Sequence, residues 1–243
     1  MMKYSTGEKK YTVGIIGGMG PEATIDFMSR VIALTPSQRD QDHIHMVIEN
    51  NPHIPDRQAT AENDLIAIEL TAIAERLVVA GADFLVLPCN TAHVFIDDLL
   101  KNIQIPFVHI VSETVNEIVK EHTNVKNIGL LATDMCINSG IYHQALKSVD
   151  RTALVLEQQD QKSCMQLIYD VKKGKYSKST KTDMVRLADQ LIQKGADIIV
   201  AGCTEIPLIL DTKSIDVPFV SSTEVLAKRT VEIAIGIKEL KSQ

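Results

Sequence analysis

Gly81-Ala82-Asp83-Phe84-Leu85-Val86-Leu87-Pro88-Cys89 returns later in the chain as Gly195-Ala196-Asp197-Ile198-Ile199-Val200-Ala201-Gly202-Cys203. Glycine to cysteine spans eight residues in both stretches, and the offset between them is 114 at either end. The repeat continues outward. Val13-Gly14-Ile15-Ile16 recurs as Ile128-Gly129-Leu130-Leu131 at an offset of 115, and Ile105-Pro106-Phe107-Val108 as Val217-Pro218-Phe219-Val220 at an offset of 112. Three blocks in one order describe a duplication of about half the chain rather than a solenoid of short repeats. Each copy carries one thiol. A two-fold fold that presents two opposed thiols to one cleft suits a reaction in which a proton leaves one face of a carbon and returns to the other.

Apolar runs alternate with amphipathic stretches in both copies. Thr12 to Ile16, His45 to Glu49 and Phe84 to Leu87 predict strands, and Glu22 to Leu34 and Asp64 to Ala80 predict helices, the second stopping at Gly81. In the second copy, strands are expected at Ile128 to Ala132, Leu154 to Leu156 and Ile198 to Ala201. Helices are expected after Ser139, at Ser163 to Lys172, at Asp183 to Lys194 and at Thr223 to about Leu240. Strands alternating with helices imply mostly parallel sheets covered on both faces. The expected fold is therefore α/β, with two pseudo-symmetric doubly wound domains. The first comprises residues 1–112 plus 221–243 and the second residues 113–220, with the active site in the cleft between them. Ligands of such sheets bind beyond the carboxyl ends of the strands, where both cysteines fall.

Bulk composition narrows the function. Of 243 residues, 45% are apolar and 23% charged, close to globular averages, which argues against a disordered or fibrous chain. A net charge of −6 provides no electrostatic footprint for nucleic acid. The five lysines between Lys172 and Lys181 predict a solvated loop or helix end. No apolar run approaches the roughly 20 residues of a membrane span, and the start MMKYSTGEKKY has no apolar signal core, so a cytoplasmic location is expected. Four cysteines, Cys89, Cys136, Cys164 and Cys203, are too few for a disulfide scaffold and remain thiols in such a compartment.

Asn90 and Thr91 after Cys89, and Thr204, Glu205 and Pro207 after Cys203, are residue types of helix starts, so both thiols are expected at helix N-termini. There the helix dipole favours a thiolate, and unpaired N–H groups can hold a carboxylate. Cys136 and Cys164 lack this context and are expected to be plain core residues. Gly18-Met19-Gly20-Pro21-Glu22-Ala23 matches GxGxxA, but Glu49, the nearest candidate acid, lies 31 residues after Gly18, too far for a dinucleotide site; no cofactor is expected. Its glycines are expected to let the backbone approach a small anion or the facing domain. Arg57 in NNPHIPDR lies at another strand's carboxyl edge, suited to a bidentate carboxylate clamp. His93 forms C-x-x-x-H with Cys89, but without a second ligand pair it is expected to support the loop rather than bind a metal.

GIIGGMGPEAT, NNPHIPDR, GADFLVLPCNTAH, GLLAT, the VKKG segment and GADIIVAGCTEIP together resemble the aspartate/glutamate racemase family, the aspartate racemases most closely. The resemblance spans nearly the whole chain. It implies a cofactor-independent amino-acid racemase, often a homodimer, acting on a dicarboxylic amino acid. Cys89 and Cys203 would be the base and acid, exchanging roles with substrate hand. Asn90, Thr91 and Thr204 would hold the α-carboxylate and ammonium, and Met19, Gly20 and Thr133 would also contact substrate. Arg57 and Lys172, in preference to Lys173, would face the side-chain carboxylate. One departure stands out: the aspartate racemases carry a second threonine after GLLAT, whereas here Thr133 is followed by Asp134, Met135 and Cys136. An acid there repels a dicarboxylate unless it turns away or pairs with Lys172, Lys173 or Lys175. Rival readings are a hydantoin racemase, a single-thiol decarboxylase, a dicarboxylate cis–trans isomerase and a non-catalytic amino-acid sensor.

Overall fold

The computed structural model describes residues 11–58 and 63–239. Its contacts divide these residues into two units: one runs to Ile110 and resumes at Glu224, and the other is Val111–Thr223. In the first unit β1 (Val13–Gly17), β2 (Met46–Asn50), β3 (Phe84–Val86) and β4 (Phe107–Val108) form a parallel sheet in the order β2-β1-β3-β4. Around it lie α1 (Pro21–Leu34), α2 (Asn63–Val79) and α3 (Ile96–Asn102). The chain passes through α4 (Ile110–Glu121) into the second unit. There β5 (Asn127–Leu131), β6 (Thr152–Leu154), β7 (Ile198–Ala201) and β8 (Phe219–Ser221) pair in parallel as β6-β5-β7-β8. Helices α5 (Asp134–Asn138), α6 (Ile141–Lys147), α7 (Gln158–Lys172) and α8 (Lys178–Gln193) accompany this sheet, and α9 (Ser222–Ala234) carries the chain back into the first unit. The strand order of one sheet is that of the other shifted by four strands. β1, β3 and β7 are buried along their whole length, as parallel strands covered on both faces must be.

The repeated Gly-Ala-Asp has a structural meaning. Gly81 and Gly195 take left-handed φ values of 93° and 94° just past α2 and α8, a conformation that costs glycine nothing. The amides of Ala82 and Ala196 then return to the carbonyls of Leu77 and Leu191, each at 3.0 Å. Those alanines and leucines press on Gly14 and Gly129. A Cβ at Gly14 would lie 2.8 Å from Ala82 Cβ, and one at Gly129 3.0 Å from Ala196 Cβ. Finally Asp83 accepts the Thr12 amide at 2.7 Å, and Asp197 accepts those of Lys126 and Asn127, each at 2.8 Å. These amide bonds hold the Asp197 carboxyl below its ordinary range. The Ile-Pro-Phe-Val repeat is explained likewise: Leu85 N–H donates to Pro106 O at 2.8 Å, and Ile199 N–H to Pro218 O at 2.9 Å.

Several boundaries differ from the sequence expectation. α7 and α8 each begin five residues earlier, at Gln158 and Lys178, because their polar first turns carry no apolar periodicity. α8 starts instead on a capping box in which Ser177 Oγ accepts the Thr180 amide at 3.1 Å. The lysine-rich stretch is thus the end of α7, a turn and the start of α8. β6 is Thr152–Leu154, two residues before the expected strand. α9 ends at Ala234 because Gly236, at φ 74°, turns the chain and Ile237 N–H caps Glu232 O at 2.8 Å; Leu240 lies outside the described residues. Among the described residues no helix is long and apolar enough to cross a membrane.

Candidate active site

Cys89 and Cys203 follow β3 and β7, which hold the same position in the two sheets, and each is only 6% exposed. Neither begins an α-helix. After Cys89 comes a 3-10 turn, Thr91–Phe95, with α3 starting only at Ile96; after Cys203 there is a single 3-10 turn, Ile206–Leu208. Asn90 adopts helical backbone angles but makes no side-chain cap. The expected tuning of both thiols by helix dipoles is therefore corrected, since a turn of three to five residues sums too few aligned peptides.

In the first unit the Cys89 loop is fastened by His93, which is buried. Its Nε2 accepts the Ile110 amide at 3.2 Å, which puts the ring proton on Nδ1, and Nδ1 donates to Cys89 O at 2.8 Å. With both nitrogens committed, C-x-x-x-H is a brace and not a metal pair. Burial, then the neighbouring His109, pushes the His93 pKa well below its usual value, and the Cys89 carbonyl opposes them. The His109 ring lies edge-on, with centroids 4.5 Å apart. Arg57 is 9% exposed, with Nη1 donating to Ile54 O at 3.3 Å and Pro55 O at 3.0 Å, so its own loop aims the guanidinium. Met19 is buried and joined to Gly20 by a cis peptide bond. Gly18, at φ 102°, lies against the loop after β2, where a Cβ would fall 2.2 Å from Asn51 O. The close approach made by GGMGP within this unit is thus to backbone. Thr24 Oγ1 ties that loop together, accepting from Gly18 N–H at 3.0 Å and donating to Gly20 O at 3.1 Å.

In the second unit Cys203 has a carboxylate for a neighbour. Its Sγ donates to Glu205 Oε2 at 2.9 Å, and Thr204 Oγ1 donates to the same oxygen at 3.3 Å. Glu205 is 3% exposed; its Oε1 has no hydrogen-bond partner and lies 3.9 Å from Lys172 Nζ. Burial, then the charge of Glu205, raises the Cys203 pKa well above the ordinary thiol range, with Lys172 pulling the other way. This environment keeps Cys203 a thiol. Of the two candidate lysines, Lys172 is the one that reaches the Cys203 loop, its Nζ also 5.7 Å from the centre of the Tyr169 ring. Thr133 is buried and caps α5, Oγ1 accepting the Cys136 amide at 3.4 Å. Asp134 turns to Gln161, whose Nε2 donates to Oδ1 at 2.8 Å and to Ala132 O at 3.0 Å. Cys136 and Cys164 are fully buried, and burial, then the charge of Asp134, pushes the Cys164 thiol up to about 12.

The profile of the Asp/Glu/hydantoin racemases matches residues 16–230, a stretch that contains both cysteines. The chain belongs to that family. Membership gives the coarse chemistry, amino-acid racemisation. Among its relatives, the broad specificity amino-acid racemase RacX of Bacillus subtilis (strain 168) is 32% identical over 223 residues, covering 90% of this chain and 96% of that one. The aspartate racemase of Picrophilus torridus superposes with a TM-score of 0.81 at 29% identity, covering 95% and 96% of the two chains. An aspartate racemase homologue from Pyrococcus horikoshii OT3 shares the fold, with a TM-score of 0.77 at 23% identity over 92% and 99% of the chains.

Glu205, which the sequence presents as part of a helical first turn, instead lies against Cys203 in this candidate site. On an α-helix, residues two apart point to different sides. The turn at 203–205 instead folds the Glu205 carboxylate back onto the Cys203 sulfur. Nothing in GCTE alone distinguishes the two geometries.

Proposed function

We propose that the chain is a cofactor-independent racemase of aspartate, with glutamate as a further substrate, in which Cys89 and Cys203 transfer protons on opposite faces of the α-carbon. The observation that carries this is the equivalence of the two thiols, each 6% exposed at the end of the matching strand of a duplicated sheet. An α-hydrogen is far less acidic than a thiol, whose reference pKa is about 8.5. The carbanion must therefore be stabilised as it forms, and fixed donors do this without reorganising. Asn90, Thr91, Thr133 and Thr204, with nearby amides, are assigned to the α-carboxylate and ammonium. Met19 and Gly20 are assigned to substrate contact, and Arg57 to the side-chain carboxylate. Lys172 is assigned with Arg57 to the side-chain carboxylate, and its 3.9 Å approach to Glu205 also balances charge on the Cys203 side. The dicarboxylate preference gains support from the turning of Asp134 toward Gln161. The same reading makes the protein a cytoplasmic homodimer, for which sedimentation at twice the chain's mass is the check.

Incubation of the reduced protein with L-aspartate and with L-glutamate in D2O, without pyridoxal phosphate, is expected to give α-deuterium by NMR and the D-enantiomer by chiral chromatography. Cys89→Ala and Cys203→Ala should each lose racemisation in both directions by 100-fold or more, about the lower bound for removing a proton-transfer group. Full activity in either variant eliminates the two-thiol reading. Neutral amino acids belong in the same series, because the Bacillus subtilis relative is a broad specificity racemase; their turnover at the aspartate rate overturns the dicarboxylate preference.

A further inference from the structure

The two halves fasten their thiol loops from the same place by different means. Pairing Phe107-Val108 with Phe219-Val220 sets Ile110 against Ser222, at the offset of 112. In the first half the Ile110 amide reaches Cys89 O through the His93 ring. The counterpart of His93, 114 residues on, is Pro207, whose side chain can neither donate nor accept. In the second half Ser222 acts directly, its Oγ donating to Ala201 O at 2.7 Å. Gly202 N–H donates to Leu131 O at 2.8 Å. The Ala201–Gly202 peptide, next to Cys203, is thus held at both its oxygen and its nitrogen.

Behind Ser222 stands a phenol. Tyr142 of α6 is hydrogen-bonded to Ser222 and to Thr114 of α4, and all three side chains are fully buried within the second unit. Ser222 directs its single hydroxyl proton to Ala201 O, so toward Tyr142 it can only accept, and the phenol O–H donates to it. By the same count Thr114 donates to the phenol oxygen. Burial above all pushes the Tyr142 pKa far above its ordinary value, so the phenol keeps the proton this chain requires. Three hydroxyls in series therefore run from α4 to the end of β7, each polarising the next. We infer that Tyr142 is a positioning residue for Cys203, its hydroxyl fixing Ser222 and, through it, the Ala201 carbonyl from which the thiol loop departs. The inference rests on the two-thiol racemase reading above.

A thiol that transfers a proton to carbon must be held at near-attack distance, and a misplacement of about 1 Å can cost about 100-fold in rate. Tyr142→Phe removes only the hydroxyl, leaving Ser222 without its donor and Thr114 without its acceptor. A fall of about 10-fold or more in kcat, with KM little changed, is expected, because the thiol acts in the transition state rather than in binding. Alkylation by iodoacetamide, followed by peptide mass spectrometry, separates positioning from general loosening. Cys203 should react faster in Tyr142→Phe while Cys164, in the core of the same unit, stays protected. Ser222→Ala should reproduce both effects, and the double variant should be no slower than Ser222→Ala alone, since both residues act through one carbonyl. Unchanged kcat in Tyr142→Phe overturns the inference, as do losses that multiply in the double variant and a rise in Cys203 and Cys164 reactivity together. Alkylation needs no substrate, so a selective rise at Cys203 in a protein whose wild type fails to racemise would overturn the proposed activity and leave the hydroxyl chain as what holds the thiol.

Discussion

At the residue scale, the four thiols separate by environment. Cys164 lies inside the second unit's core, where burial and Asp134 favour the neutral form up to about pH 12. In the unfolded chain the same thiol ionises near 8.5. A folded pKa raised above the unfolded one contributes stability that is fully present below about 8.5 and is lost as pH climbs toward 12. Cys203, raised in the same direction, adds to the loss. The thermal midpoint followed by circular dichroism is therefore expected to fall across this alkaline window. Cys164→Ala, which has no thiol to ionise, should start lower for the lost packing but decline less steeply. Parallel curves for the two proteins would show that Cys164 ionises without cost.

At the scale of elements, the repeated motif couples a helix end to a strand. Gly129 sits in β5 where an added Cβ would come within 2.5 Å of Ile199 Cδ1, 3.0 Å of Ala196 Cβ and 3.1 Å of Leu191 Cβ. Ile199 can turn its terminal methyl aside, but Ala196 and Leu191 present Cβ atoms fixed to their backbone, so the end of α8 and the turn after it must give by a few tenths of an ångström. Gly129→Ala should cost about 1–3 kcal/mol, the usual penalty of overpacking, read as a lower urea midpoint at constant slope. An unchanged midpoint would mean that α8 moves off the sheet freely. This coupling is also why the fold was legible in the chain. Buried parallel strands leave continuous apolar runs, and Gly-Ala-Asp recurs because both copies need a helix stop, a small packing residue and a strand cap. The starts of α7 and α8 were illegible for the converse reason: their first turns face outward and are polar. The cysteines were legible as a pair, whereas the Cys203–Glu205 contact was not, because its geometry depends on a turn that the sequence presents as the beginning of a helix.

At the scale of the whole molecule, the order of the chain sets a dependence that neither sheet reveals alone. Residues from Glu224 onward belong with the first unit although they follow the second. Their attachment is specific: Tyr11 N–H donates to Ala234 O at 2.8 Å, and Arg30 of α1 reaches Glu224 at 3.4 Å. α9 also carries Leu226, Ala227, Val231 and Ala234, all buried. Exposing four such side chains costs about 1.5–3 kcal/mol for each of the larger ones, a large share of the 5–15 kcal/mol that holds a typical domain together. A chain ending at Thr223 keeps both cysteines, Arg57, Lys172 and Glu205, and every strand of both sheets. It is nevertheless expected to lose amide-exchange protection in β1 and β3 while β5 and β7 remain protected, and to lose racemisation with the Cys89 loop that β3 positions. Protection lost equally in both sheets would mean that the two units unfold as one. Protection retained in both, with racemisation intact, would mean that α9 is dispensable to the unit it completes.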